Sequence, residues 1–216
     1  MNLSTKQILL IFFPVVITLG VIFALEFYQY EPLYPNKSQI KQQKPEVNQL
    51  PVFQNDFILG NKSAPKTIIT FEDLGCSACK NQYEIFQKLI KKYPNKIKVV
   101  WKPLTVKKIP VSSKDAHHYA FCLSKQEKFS KFAELAFANS NNLTQSVLES
   151  ISKKINSNQS QLDSCLKSKQ PETYLEKNKQ LAKLMNVQSV PAIFINGKEE
   201  QEPKTLNGWE SLLNLK

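Results

Sequence analysis

The 216-residue chain contains no arginine; all 29 of its basic residues are lysine. Arginine supplies the planar, two-pronged donor that grips phosphates and reads bases, so its absence weighs against a nucleic-acid partner. Glycine is also scarce. Five residues are too few for a glycine-rich repeat or for a large all-β fold built on tight turns. Only two histidines occur, the adjacent His117 and His118. No second Cys-x-x-C pair or His-x-His knuckle is present to complete a zinc site. There is no phosphate-binding loop, no Ser-His-Asp arrangement and no internal repeat. Disorder is excluded by composition, because 42% of the residues are hydrophobic and 22% charged, close to a globular average. The net charge of +11 reads first as a solvated lysine surface and second as a weak attraction to anionic membranes.

The first long hydrophobic run comes early. Ile8 to Leu25 carries no charge and only Thr18 as a polar interruption, and about 18 to 20 such residues cross a bilayer as a helix. Lys6 and the amino terminus precede it, which places the N-terminus in the cytoplasm. The rival is a cleaved signal peptide, but Thr18-Leu19-Gly20 makes a poor cleavage site and Phe23-Ala24-Leu25 none. A retained anchor is expected, with everything after it exported. Pro32, Pro35, Pro45 and Pro51 then lie among Asn, Gln, Lys and Ser, a composition that favours an extended tether. The expected plan is a cytoplasmic end at 1–7, a signal anchor at 8–25, a proline-rich linker at 26–51 and a domain at 52–216.

Strands and helices alternate in that domain. Phe57-Ile58-Leu59 is a short strand and Thr67 to Phe71 a buried one. A helix follows from about Cys76 to Lys92, then a strand from Ile97 to Trp101. Such a β-α-β unit implies a parallel pair. From about 112 to 186 the pattern is helical throughout: helices around Ala116–Leu123 and Phe129–Phe137, one from Leu143 to Ile155 capped by Asn142, one from Gln159 to Leu166, and one opened by Pro171. Strand character returns at Pro191–Ile195, Asn196-Gly197 signals a hairpin, Lys198 to Gln201 returns, and a last helix carries Trp209, Leu212 and Leu213. The order is β, β-α-β, a helical block, then β-β-α.

The chemistry lies in four cysteines, Cys76, Cys79, Cys122 and Cys165. Cys76-Ser77-Ala78-Cys79 follows a strand and opens a helix. Unpaired N–H groups and the positive end of the helix dipole stabilise a thiolate there, so the Cys76 pKa should fall. Residues three apart share a helix face and can close a disulfide, which a good leaving group makes reactive. Cys79, a turn further in, should be the less exposed, resolving thiol. Half of a zinc site and a purely structural disulfide are the rival readings. His118 and Cys122 share a helix face, where ordinary packing is expected. Glu72 and Asp73 precede Cys76 closely and suit either a proton relay or a strand-end turn.

These residues carry a resemblance. Phe71-Glu72-Asp73-Leu74-Gly75-Cys76-Ser77-Ala78-Cys79-Lys80 resembles the active-site segment of thioredoxin-fold proteins, and Ser189-Val190-Pro191-Ala192-Ile193-Phe194-Ile195-Asn196-Gly197 resembles their cis-proline loop and hairpin. The helical block between the two halves resembles the insertion of the DsbA-like thiol–disulfide oxidoreductases. The resemblance implies an α/β thioredoxin fold with an inserted helical subdomain and a cis Val190–Pro191 bond beside Cys76. It also implies a backbone edge there that pairs with an extended substrate. The implied reaction is disulfide exchange with cysteine-containing exported proteins, without a cofactor or metal, by a monomer reoxidised by a quinone-linked membrane partner. Relatives carry cysteines near Cys122 and Cys165. Of three connectivities, local chemistry favours 76–79, which leaves 122–165 as a structural clasp or as two buried thiols. The best-known relatives have Pro-His between the redox cysteines. Ser77-Ala78 has no charge to hold the thiolate, so a less oxidising pair is expected. An oxidase is the leading reading. A reductase or isomerase of the same fold, and a module holding a soft metal through Cys76 and Cys79, are the alternatives.

Overall fold

The computed structural model describes residues 13–14, 16–22, 50–107 and 109–215. The chain falls into two units, Met1–Gln43 and Lys44–Lys216. In the first, the described residues are helical and exposed. Among the described residues, no helix is long and apolar enough to cross a membrane. Half of the anchor expected at 8–25 and nearly all of the linker at 26–51 lie outside them.

The second unit is built on a five-stranded sheet. Its strands are β1 (Phe57–Gly60), β2 (Lys66–Glu72), β3 (Ile97–Pro103), β4 (Ala192–Ile195) and β5 (Lys198–Glu200), in the order β1-β3-β2-β4-β5. Only β2 and β3 run parallel, with Ile68 opposite Val99 and Thr70 opposite Trp101. The crossover between them is α1 (Ser77–Lys92). The central strand β2 is β-branched and apolar because both of its faces are covered. Ile68 packs into the core that includes Leu74, Phe86, Trp101 and Trp209, whereas Ile69 and Phe71 join Val100, Leu181, Met185 and Phe194 on the other face. This is the two-residue alternation of a strand buried on both sides. Asn196 and Gly197 both adopt positive φ, 51° and 78°, and turn β4 back into β5.

Between β3 and β4 lie five helices: α2 (Lys114–Ser124), α3 (Phe129–Ala138), α4 (Gln145–Lys154), α5 (Gln159–Lys167) and α6 (Gln170–Leu184). Pro171 sits in the first turn of α6, where its missing N–H costs nothing. The start expected for α4 needs correction. Asn142 is not the cap: the first helical residue is Gln145, and Thr144 stands at the N-cap position. A final helix, α7 (Leu206–Leu212), brings Trp209 against Phe86.

One buried polar cluster was not foreseen. Lys102 of β3 is fully buried, its ammonium 2.6 Å from Asp56 and 4.1 Å from the centroid of the Phe53 ring. Asp56 also accepts from the Tyr174 hydroxyl at 2.8 Å and the Phe53 N–H at 2.7 Å. Burial lowers the Lys102 pKa while Asp56 pulls it back up. One carboxylate and one aromatic face thus hold the charge in the interior.

Cys122 of α2 and Cys165 of α5 are bonded, their α-carbons 5.7 Å apart. The link spans 43 residues, for which loop-closure entropy gives about 4 kcal/mol. Replacing both cysteines by alanine is expected to lower unfolding stability by about 2–4 kcal/mol. Denaturant unfolding of the variant checks this, and an unchanged midpoint would rule it out.

Candidate active site

The site begins where β2 ends. Backbone turns follow from Asp73 and Gly75, and Cys76 takes the N-cap position of α1 in extended conformation (φ −97°, ψ 125°). Its Sγ accepts from the Cys79 N–H at 3.5 Å, so sulfur satisfies a donor that the helix leaves open. Cys76 is partly exposed and Cys79 fully buried, and both are free thiols. Ser77 is exposed and Ala78 partly so.

The second half of the fold closes on the same atom. Val190–Pro191 is cis, and the Cys76 thiol points at the Val190 carbonyl, 3.8 Å away. Residues 114 positions apart thus face each other, with Val190 and Pro191 partly exposed beside the sulfur. A second cis bond, Ile109–Pro110, lies in the loop after β3; no sequence pattern had singled it out.

The two thiols occupy opposite electrostatic settings. For Cys76, the hydrogen bond with Cys79 is the strongest influence and lowers the pKa. Burial and the Asp73 charge raise it, the N–H groups of Cys79 and Ala78 lower it further, and the result is about 6. For Cys79, burial dominates and pushes the thiol far up, helped by Cys76 and by the charge of Glu72. The Asp73 N–H, which donates to the Cys79 sulfur at 3.4 Å, works against this without reversing it. An exposed thiolate and a buried thiol are therefore separated by one helical turn.

Two acids flank the pair. Glu72 is buried and its pKa rises to about 8, chiefly through loss of solvent, although the Trp101 indole N–H (2.7 Å) and the Thr70 hydroxyl (3.0 Å) donate to it. Asp73 is buried too. Desolvation pushes it up, but the His117 ring, Ser113 and the Lys107 N–H outweigh burial and hold it well below the usual carboxylate range. Gly75 allows this packing: a Cβ there would lie 2.6 Å from the Lys107 side chain. Trp101, Thr70, Lys107 and His117 had not been read as neighbours of the site. The one usable hint was Trp101, whose N–H needs a partner when buried in a strand.

The remaining candidates separate from Cys76 and Cys79. Cys122 and Cys165 form their own bond in the helical block, and His118 contacts Glu172 at 3.0 Å rather than joining Cys122. Among the described residues, no cluster of three or more His, Cys, Asp and Glu side chains could hold a metal ion.

A β-α-β half, a helical insertion and a β-β-α half, with a Cys-x-x-C at the first helix and a cis-proline facing it, define a thioredoxin fold. The family model described as thioredoxin matches residues 53–214, and the chain belongs to that family. No curated protein matches. Several solved structures share the fold. A thioredoxin-like oxidoreductase from Silicibacter pomeroyi is 17% identical with a TM-score of 0.65, the match covering 76% of this chain and 92% of that one. The thiol-disulfide exchange protein alpha-DsbA2 from Wolbachia pipientis is 18% identical with a TM-score of 0.65 over 75% and 87% of the two chains. Oxidised BdbD from Bacillus subtilis is 21% identical, again with a TM-score of 0.65, over 76% and 94%. At these identities the likeness is one of fold.

Because only the thiolate is nucleophilic, alkylation of the reduced protein at Cys76 should rise with pH to half its maximum at about pH 6 and level off above it. Iodoacetamide kinetics with mass mapping of Cys76 measure this; a midpoint near that of a free cysteine would contradict the assigned environment.

Proposed function

We propose that this chain is an exported protein dithiol–disulfide oxidoreductase working as an oxidase, with Cys76 as the nucleophilic, substrate-facing thiol and Cys79 as the resolving one. The observation that carries the reading is the Cys76 sulfur at a helix N-terminus, 3.8 Å from the carbonyl of a cis-proline peptide bond. Ser77 and Ala78 form the dipeptide between the thiols, and Val190 and Pro191 offer the edge for an extended cysteine-containing chain. The fold neighbours include an oxidoreductase and a thiol-disulfide exchange protein, which supports the class of reaction.

In the oxidising direction, a substrate thiolate attacks Cys76 Sγ of the Cys76–Cys79 disulfide and the Cys79 sulfur leaves. The buried Cys79 thiolate is unfavourable, so it needs a proton. Glu72 keeps its proton below about pH 8 and its charge acts on Cys79, so it is assigned as the donor. The substrate's second thiolate then attacks the substrate sulfur of the mixed disulfide, and Cys76 leaves as a thiolate. The substrate loses two electrons and the cysteine pair gains them. Reoxidation falls to a quinone-linked membrane partner. Residues 8–25 anchor a monomeric domain on the far side of the membrane, a reading that rests on their uncharged sequence and that membrane fractionation of the full chain tests.

Equilibration with glutathione is the deciding measurement. A potential in the oxidising range, but below that of the strongest relatives, is expected; a strongly reducing one would reassign the chain as a reductase. Cys79→Ser should accumulate mixed disulfides with a disulfide-bonded test peptide, Cys76 displacing one peptide thiol with no resolving thiol to follow, and Cys76→Ser should form none. In wild type, the rate of mixed-disulfide formation per substrate thiolate should fall above about pH 8. Glu72→Gln should slow that step by about tenfold or more at neutral pH and flatten its pH profile. A flat wild-type profile would remove Glu72 from the mechanism.

A further inference from the structure

The proposed exchange step draws a proton from Glu72, yet both hydrogen-bond donors on its carboxyl work against its keeping one. Thr70 of the same strand and Trp101 of β3 donate to its oxygens, and such bonds favour the charged form. Burial opposes them. From the cysteine turn and α1, Cys76, Cys79 and Tyr83 lie within electrostatic reach of this carboxyl. A further acid, Glu202, acts on it from beyond β5.

The sheet brings the two acids to one end. Strand β4 begins at Ala192, straight after the cis Val190–Pro191 bond, and lies between β2 and β5. Phe71 stands opposite Ala192, and Ile193 opposite Glu200. Glu72 is one residue beyond the first of these pairs and Glu202 two beyond the second. Both therefore stand at the end of the sheet where the cis bond meets Cys76. Two strand spacings, about 10 Å, separate β2 from β5.

Helix α1 closes over the same end. Gln82 lies three residues after Cys79, on the same face of the helix, and both are fully buried. The Gln82 amide oxygen accepts from the Trp209 indole N–H at 2.9 Å. Its nitrogen donates to the Glu202 carboxylate at 3.0 Å and to the Pro203 carbonyl at 3.3 Å. On the solvent side Glu202 forms an ion pair with Lys204. The Glu202 side chain is only 14% exposed, whereas that of Lys204 is 74% exposed. Water screens the lysine, while the field of the carboxylate crosses the interior.

We propose that Glu202 is a positioning residue of the exchange reaction, a sheltered negative charge that keeps the proton on Glu72 until the Cys79 sulfur takes it. Glu202 acts only through Glu72. The inference rests on the reading of Cys76 and Cys79 as the exchanging thiols with Glu72 as their proton donor, and it adds a residue on the opposite side of β4.

Glu202→Gln keeps an oxygen for the Gln82 amide but carries no charge. Losing a nearby negative charge makes the Glu72 carboxylate easier to form. In the reduced full chain, the infrared carbonyl band of protonated Glu72, identified by its loss in Glu72→Gln, should titrate near pH 8 in wild type. In Glu202→Gln the midpoint should fall by about half a pH unit. The decline in mixed-disulfide formation per substrate thiolate should move down in pH by the same amount. Glu202→Asp, which keeps the charge, should titrate close to wild type. An unmoved midpoint in folded Glu202→Gln overturns the proposal. So does an equal fall in Glu202→Asp, because packing and not charge would then be the cause. If the midpoints move as expected while wild type exchanges no disulfide with the test peptide, Glu202 keeps its hold on the Glu72 proton and the oxidoreductase reading falls.

Discussion

The first turn of α1 exposes N–H groups that no carbonyl inside the helix can satisfy, and the acceptor supplied to them is a sulfur atom. The geometry that solves this capping problem also sets the chemistry. Donors that need an acceptor stabilise negative charge, so the cap residue becomes the acidic thiol of the pair. The helix that is capped carries its next thiol, three residues on, into the apolar interior between sheet and helix, where charge is disfavoured. Two identical side chains acquire different tasks because one backbone turn separates solvent from core.

The same contrast recurs in Glu72 and Asp73. Glu72 is the last residue of β2 and, like Thr70 two places earlier, turns toward the covered face, where it meets one indole N–H and one hydroxyl. Two neutral donors do not replace the water lost on burial, and the carboxyl keeps its proton to about pH 8. Asp73 is the first residue off the strand. It reaches three main-chain N–H groups of two loops and stays ionised. Strand end and loop start are adjacent in sequence, yet one holds a protonated carboxyl and the other a fixed charge.

Much of this was legible beforehand because it depends on local rules. A Cys-x-x-C between a strand and a helix places its first thiol at the helix end, Asn196-Gly197 forces a hairpin, and Pro171 marks a helix start. What was not legible depends on partners far apart in the chain. Lys102 lies just past the strand expected at Ile97 to Trp101, in a chain whose lysines read as a solvated surface, but the segment around Asp56 and helix α6 cover it. His117 read as a packed helix residue; its neighbour across the fold, Asp73, belongs to a loop whose course no periodicity describes. At α4, an asparagine good at capping was passed over because the chain first turns between Asn139 and Asn142 and the helix starts only at Gln145.

The buried lysine has a mechanical consequence. Leu50 is plugged into the apolar layer with Ile69, Phe71 and Phe194, and a few residues later Phe53 and Asp56 are clamped to Lys102 and Tyr174. The point where the chain enters the domain is therefore moored to the central sheet and to α6 rather than hung from β1. Tension arriving from upstream meets a hydrophobic plug and a dehydrated ion pair in series before it reaches the edge strand. Lys102 stands opposite Phe71, at the end of β2 that leads to Cys76, so the clamp that moors the chain's entry also braces the strand end from which the cysteine turn springs.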